Sequence, residues 1–179
     1  RYTTADGLSD NRVTTIIKDR NGFMWFGTWV GISSFDGNGF TIYKSYPGDR
    51  SPLKNNRIDD IVEDKSTGDL WIKAYDAQIY RFNKKLGSFS ALSDLLQQES
   101  IKSVAFTKIL LVDKNSIWLE SEGSGIYLVK NSSDEKPELI RFSNKSKLSL
   151  PSNIITSFKL DGNKNACIAT SKGLRVFSL

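Results

Sequence analysis

Short apolar runs alternate with groups of turn-forming residues along the whole of this chain. In the first part, the β-branched run 13–17 is followed by a polar, glycine-containing turn at 19–22. Three further short runs, at 23–26, 32–35 and 40–43, are again separated by turn residues. Runs of this length and alternation are typical of strands, so the pattern predicts four antiparallel strands joined by tight turns.

This four-strand unit recurs along the sequence at an interval of roughly 47 residues. An aspartate closes the first apolar run of every unit: Asp19, Asp64, Asp113 and Asp161. A large or apolar residue occupies the second run: Trp25, Trp71, Trp118 and Cys167. An aliphatic residue opens the third: Ile32, Ile79, Ile126 and Leu174. An asparagine precedes three of the four units: Asn11, Asn56 and Asn153.

Four short strands per repeat of this length are the signature of a β-propeller blade. The sequence therefore predicts an all-β protein built from four four-stranded antiparallel blades. We expect one partial propeller domain over residues 1–179, with its blades at about 7–45, 52–92, 101–142 and 148–179. Only 89–98 has the spacing of a helical turn.

Composition excludes several other classes of protein. No apolar run approaches the length of about 20 residues that a membrane helix requires. The net charge is +5, but lysine and arginine are scattered among acidic residues, which does not favour nucleic-acid binding. The single cysteine cannot form an intrachain disulfide, and no spacing of residues indicates a metal or other cofactor.

The segment 7–37 resembles the two-component regulator propeller repeat. It carries an entry asparagine, an Asp-x-x-Gly turn, Trp-Phe-Gly-Thr, and a final Phe-Asp-Gly. The later units are similar but less complete; the second, for example, has Lys73-Ala74 in place of Gly-Thr.

This resemblance implies a periplasmic sensor domain of a histidine kinase, commonly of the hybrid type found in Bacteroidetes. Such propellers are commonly seven-bladed, and their ligands are typically oligosaccharides. The kinase would lie outside this chain, which contains no histidine. The resemblance therefore implies a non-enzymatic sensing module whose partners are an oligosaccharide, the remaining blades of the parent protein and, in one arrangement, a second copy.

The ends of the chain leave two arrangements open. Residues 1–4 are expected to form an extended strand rather than a signal peptide, and the fourth unit stops at Leu179 after its third strand. The first strand could complete the fourth blade and close a small ring. Alternatively, the four blades are an arc of a larger ring and pair through their open ends with a neighbouring copy. We favour the arc, because the resemblance implies more blades.

The candidate ligand-binding residues lie on one face of the predicted disc. Entry loops and the turns between second and third strands meet there, and an aromatic ring with charged neighbours suits a sugar. The candidates are Trp29, Arg12, Arg57, Tyr75, Asp76, Glu120, Glu122 and Lys172. Trp29 could instead pack back onto its blade, and Tyr75-Asp76 could be a simple polar turn.

The recurrent residues are expected to be structural. The tryptophans should fill the core between blades, Cys167 should be a buried thiol, the aspartates should cap turns, and the asparagines should brace the entry loops. Two other functions remain open: a protein-interaction scaffold that uses the same face, and a propeller hydrolase or lyase. Glu120 and Glu122 are the nearest to a catalytic carboxylate pair, but nothing in the sequence gives either a raised-pKa partner.

Overall fold

The first sheet contains the predicted four antiparallel strands in the order β1-β2-β3-β4. In this computed structural model, which describes residues 1–113, 115–132, 134, 137–161 and 165–178, each strand coincides with an apolar run. The strands are β1 (Val13–Lys18), β2 (Met24–Thr28), β3 (Gly31–Phe35) and β4 (Phe40–Tyr43).

Three further sheets follow in chain order. The second has four strands: β5 (Ile58–Glu63), β6 (Leu70–Ala74), β7 (Ile79–Asn83) and β8 (Ser88–Ala91). The third adds a short parallel strand to four antiparallel ones: β9 (Phe106–Asp113), β10 (Ser116–Ser121), β11 (Gly125–Lys130), β12 (Glu138–Ser143) and β13 (Leu148–Ser149). The fourth has three: β14 (Ile155–Leu160), β15 (Ala166–Thr170) and β16 (Gly173–Phe177). The all-β propeller-blade prediction is confirmed.

Helical structure is confined to short connections. The predicted helical turn is present as α1 (Leu92–Leu95), followed by a 3-10 helix at Glu99–Ser103. The prediction of a strand at residues 1–4 is wrong. Thr3 and Asp6 instead form a capping box at a 3-10 helix over Thr4–Asp6. In this box, the side chain of each residue accepts a hydrogen bond from the backbone N–H of the other.

The recurrent tryptophans form the cores between successive blades, as predicted. Trp25 packs against Phe82 of the second sheet, and their ring centroids are 5.7 Å apart. Trp71 belongs to the cluster shared by the second and third sheets. Trp118 packs against Phe158 of the fourth sheet at 4.8 Å. Each tryptophan therefore faces the blade that follows its own.

Cys167 departs from this rule. It occupies the tryptophan position on β15 but is only partly buried, so the prediction of a buried thiol is wrong. The physical reason is that, in the part of the chain described, no sheet covers this face. Leu174 is 62% exposed for the same reason, although the equivalent Ile32, Ile79 and Ile126 are buried.

Three of the four recurrent aspartates and all three recurrent asparagines have the structural roles expected of them. The aspartates accept hydrogen bonds from backbone N–H groups of the turns that follow them, at Asp19, Asp64 and Asp161. The asparagines bond the chain segment just before their own entry loop. Asn56, for example, both donates to and accepts from the backbone of Ser45. Asn11 and Asn153 accept equivalent bonds from Thr4 and Asn144.

The four sheets form an open arc over the described residues. Residues 1–4 pair with no strand, so the small closed ring is not formed. Leu179, where the fourth unit was expected to stop, lies outside the described residues. The described helices include none that is long and apolar enough to cross a membrane.

Candidate functional site

Backbone hydrogen bonds bring each entry loop beside the turn between the second and third strands of its blade. The N–H of Trp29 donates to the carbonyl oxygen of Arg12 at 3.3 Å, and the N–H of Tyr75 donates to that of Arg57 at 2.9 Å. Because β1 and β5 begin where β2 and β6 end, these four residues share the face that the sequence predicted.

Their side chains stack in alternation. Cζ of Arg12 lies 4.1 Å from the ring centroid of Trp29. Cζ of Arg57 lies 4.2 Å from the Trp29 centroid and 3.9 Å from that of Tyr75. We call these four residues the arginine–aromatic ladder. It joins the first two blades, because Arg12 and Trp29 belong to the first and Arg57 and Tyr75 to the second.

The ladder changes which ring is available to a sugar. Both guanidinium groups lie over the Trp29 ring, and two such groups centred this closely fit only on opposite faces. Trp29 is 38% exposed and therefore presents mainly its edge to solvent. Tyr75 has Arg57 over one face and is 58% exposed, so it is the ring with a face left for stacking.

The two arginines of the ladder differ in their acidic partners. Nε and Nη2 of Arg12 donate to the two carboxylate oxygens of Asp10, both at 2.9 Å. These bonds hold the pKa of Asp10 below its ordinary value. Arg57 has Asp59 near it, but the distance from Nε to Oδ1 is 4.0 Å, and Asp59 instead accepts from Nζ of Lys73 at 2.7 Å.

A cavity of about 560 Å³ neighbours the ladder in the chain, because its wall includes Asp76, the residue that follows Tyr75. This volume falls in the ordinary range for small-ligand sites. Its wall mixes charged groups of both signs with amide and aromatic groups. The lining residues are Arg50, Pro52, Lys54, Asp76, Gln78, Tyr80, Ala91, Ser93, Asp94 and Lys102.

Asp76 is held in a fixed position in this wall. Its Oδ1 accepts the N–H of Gln78 at 3.0 Å, and its Oδ2 accepts the hydroxyl of Tyr80 at 2.7 Å. Burial, followed by this hydrogen bond, raises the pKa of Tyr80, so the phenol stays protonated and keeps donating. The remaining acceptor capacity of Asp76 is therefore pre-oriented toward the cavity.

The other predicted residues lie elsewhere. Glu122 lines a separate cavity of about 540 Å³ on the third blade. Glu120 lines a small groove between β9, β10 and β14, with Lys108, and burial raises its pKa. Lys172 is exposed in the turn of the fourth blade. The eight candidates thus divide among the ladder, its neighbouring cavity and three other places.

The first blade carries the family signal. The family model described as two-component regulator propeller matches residues 7–30, from the entry loop through the turn that holds Trp29. Residues 7–30 of this chain therefore match one two-component regulator propeller repeat. Two ladder residues, Arg12 and Trp29, lie within that repeat.

Other proteins are similar to parts or all of this chain. Histidine kinase P4 of Formosa agariphila is 40% identical over 52 residues, which are 29% of this chain and 4% of that protein. The extracellular domain of a one-component system from B. thetaiotaomicron is 19% identical with a TM-score of 0.62, covering 98% of this chain and 22% of that one. An ancestral GH74 enzyme is 12% identical with a TM-score of 0.60, covering 96% and 23%. The structural likenesses show a shared fold alone, and the chain spans only a small part of each relative.

The repeat also explains how the ladder arises. Arg12 and Arg57 each stand seven residues before the recurrent aspartate, and Trp29 and Tyr75 each stand four residues after the recurrent tryptophan. The first two repeats therefore place the same residue types at equivalent positions, whereas the third has Phe106 and Glu122 there. Comparing these positions between repeats is the sequence signal that could have found the stack.

The cavity contains residues that sequence reasoning missed. Arg50 and Lys54 come from the connection between β4 and β5, and Asp94 and Lys102 come from the helical segment after β8. These connections vary between repeats, so alignment of the repeats draws no attention to them. Among the described residues, no group of three or more His, Cys, Asp or Glu side chains could hold a metal ion.

Proposed function

We propose that this chain forms part of an extracytoplasmic, ligand-sensing propeller of a two-component sensor kinase. The match of residues 7–30 to the two-component regulator propeller repeat supports this, as does the likeness of a longer segment to a histidine kinase. The kinase itself would lie outside this chain, and this part would act by binding rather than by catalysis.

The proposed ligand is an oligosaccharide bound across Tyr75 and the neighbouring cavity. The observation that carries this proposal is the ladder, which leaves one ring face of Tyr75 open beside a wall that contains Asp76. A sugar ring stacked on Tyr75 would bury its apolar face, while carboxylate, amide and cationic groups of the cavity bond its hydroxyls. The ladder fixes the side chains beforehand and so reduces the entropy that binding costs.

Calorimetric titration of this chain with a panel of neutral and acidic oligosaccharides tests the proposal. We expect Tyr75→Ala to weaken binding at least about tenfold, since one sugar–aromatic contact is lost, with an unchanged melting temperature. Tyr2→Ala is the matched control, because Tyr2 is 60% exposed and packs on Phe35 and Phe40, away from the ladder. Binding that survives Tyr75→Ala, or a protein partner bound in place of any glycan, contradicts the proposed ligand site.

The absence of catalysis is part of the same proposal. The GH74 likeness supports only the shared fold, and the two glutamates considered as a catalytic pair line different cavities. Incubation with any oligosaccharide that binds should release no new reducing ends. Turnover that is lost in Glu120→Gln or Glu122→Gln would support a hydrolase or lyase instead.

The fourth sheet is proposed to pack against a further blade, supplied by the parent protein or by a second copy. Leu174 and Val176 are exposed there, whereas the recurrent aliphatic position that Leu174 occupies is buried in the other three blades. Light scattering at increasing concentration distinguishes the two sources. A dimer disrupted by Leu174→Asp supports pairing of copies, whereas a stable monomer at all concentrations argues against it.

A further inference from the structure

Two arginines share the ring of Trp29 but differ in what their donors contact. Two donors of the Arg12 guanidinium are already occupied, because Asp10 accepts hydrogen bonds from both its Nε and its Nη2. The guanidinium of Arg57 donates no hydrogen bond within the part of the chain that the structure describes, and its Nε is buried without a partner. Buried donors are nearly always satisfied in folded proteins, so the unpaired Nε marks Arg57 as the less engaged of the two arginines.

The surroundings of Arg57 hold its guanidinium in a fixed plane. Trp29 and Tyr75 lie 4.2 and 3.9 Å from Cζ, and a planar group can accept two rings so close only if each covers one face. About one third of the side chain remains exposed. With both faces covered and Nε buried, the terminal Nη groups are the donors that remain open to solvent.

The nearby carboxylate of Asp59 forms no hydrogen bond with the guanidinium of Arg57. Asp59 lies 4.0 Å from Nε, beyond hydrogen-bond distance, and forms its short contact with Lys73 at 2.7 Å. Asp59 is therefore engaged by Lys73, whose charge also acts on the neighbouring Asp60. The guanidinium of Arg57 is left without a hydrogen-bonded carboxylate in the part of the chain that the structure describes.

We infer that Arg57 binds an oxyanion, a carboxylate or sulfate group carried by the ligand, through its exposed guanidinium edge. A guanidinium held in plane presents parallel N–H donors that match the two oxygens of such a group, and these charge-assisted bonds are the strong ones. A neutral sugar hydroxyl cannot replace that pairing. The inference rests on the proposed function in naming a sugar as the carrier, and it makes the ligand an acidic glycan.

Inorganic sulfate tests the anion site without any sugar. Trp29 is the one partly exposed tryptophan, since Trp25, Trp71 and Trp118 are buried, so a change in tryptophan fluorescence reports on the ladder. At constant ionic strength set with chloride, we expect sulfate to change the fluorescence saturably. Arg57→Lys should weaken the effect at least about tenfold, because it keeps the charge but removes the planar fork.

Arg175→Lys is the matched control, since Arg175 also lies over an aromatic ring, that of Phe177, on an exposed part of the fourth blade. It should leave the sulfate titration unchanged. An unchanged titration in Arg57→Lys, or an equal response to chloride alone, overturns the anion site. Melting temperatures of both variants verify that each is folded.

Two glycosides separate this inference from the proposed function. Methyl β-glucuronide and methyl β-glucoside differ only in a carboxylate, and we expect the glucuronide alone to compete with sulfate. Equal binding of both sugars, lost in Tyr75→Ala but not in Arg57→Lys, keeps the sugar site and contradicts the anion. A saturable response to sulfate that depends on Arg57, with neither glycoside bound, keeps the anion site and contradicts the sugar as its carrier.

Discussion

The junction between the first and second blades differs in kind from the junction between the third and fourth. Both contain a recurrent tryptophan packed on an aromatic ring of the next blade. The first junction adds charged side chains at both ends of this core, with the ladder at one end. At the other end, Lys84 bridges Asp19 and Glu63 at 2.7 and 3.0 Å.

The third and fourth blades meet mainly through apolar contacts. Trp118 packs on Phe158, and Phe142 packs edge-on against Phe177 at 4.9 Å. A polar tie is the amide of Asn153, which donates to the carbonyl oxygen of Gly123 at 2.8 Å. The comparison shows that an apolar core joins blades at both junctions, whereas the first junction, which carries the candidate ligand site at one end, adds charged groups at both ends of that core.

The largest expected effect comes from removing the central cation of the first junction. Lys84→Met leaves the carboxylates of Asp19 and Glu63 largely buried and without their cation. We expect a loss of about 3–5 kcal/mol in the free energy of unfolding, measured by urea denaturation. Lys85→Met is the control, since that neighbouring side chain is exposed and its loss should cost under about 0.5 kcal/mol. Equal effects of the two changes would show that the charged bridge contributes nothing.

Truncating an aliphatic side chain to alanine on the third and on the fourth blade compares a blade face that is covered by another sheet with one that is not. Ile126 is buried in the core between the third and fourth blades, so Ile126→Ala should cost about 2–5 kcal/mol through lost burial and the cavity left behind. Leu174→Ala, at the equivalent position of the fourth blade, should cost under about 0.5 kcal/mol because Leu174 is largely exposed. A large cost at Leu174 in thermal or urea unfolding would mean that this face is covered in solution.

A smaller effect on the free energy of unfolding is expected at acidic pH, where the carboxylate of Asp19 becomes protonated. Burial acts to raise the pKa of Asp19, but hydrogen bonds from Lys84, Trp25 and the Phe23 backbone, with the charge of Lys84, outweigh it and leave the pKa lowered. A carboxylate with a lowered folded pKa stabilises the protein above its unfolded pKa of about 3.9, and this contribution is lost as the pH falls through the folded value.

Asp19→Asn removes this contribution. The stability difference between the wild-type chain and Asp19→Asn should therefore be full near neutral pH and should shrink below about pH 4. Urea unfolding at a series of pH values measures it. A difference that stays constant down to the lowest pH at which both chains fold would contradict the charge-based account.

The fold could be predicted from the sequence because its determinants repeat. Trp25, Trp71 and Trp118 recur at one position of the second strand, and recurrence at a fixed period identifies the blades and their packing face. Residues 1–4 were mispredicted because Thr3 and Asp6 form a local capping box that outweighs their strand-like character. Cys167 was mispredicted because the position alone cannot show whether another sheet covers it.

The sequence predicts which residues belong to the candidate site, but not how their side chains are arranged. Arg12, Trp29, Arg57 and Tyr75 were all selected by their place on one face. Their stacking order depends on how closely the first two blades approach each other. That distance is set by packing between the blades and cannot be read from the residues of either loop alone. The cavity wall could not be assembled at all, because Arg50 and Asp94 come from connections that do not repeat.

The central claim is that the ligand binds over the first and second blades, and hydrogen–deuterium exchange tests it most directly. With an acidic oligosaccharide that binds, we predict slower exchange at 29–31 and 75–78 and no change in the corresponding turns at 122–124 and 171–172. Protection confined to the turns of the third and fourth blades, with none at 29–31 and 75–78, would contradict the claim.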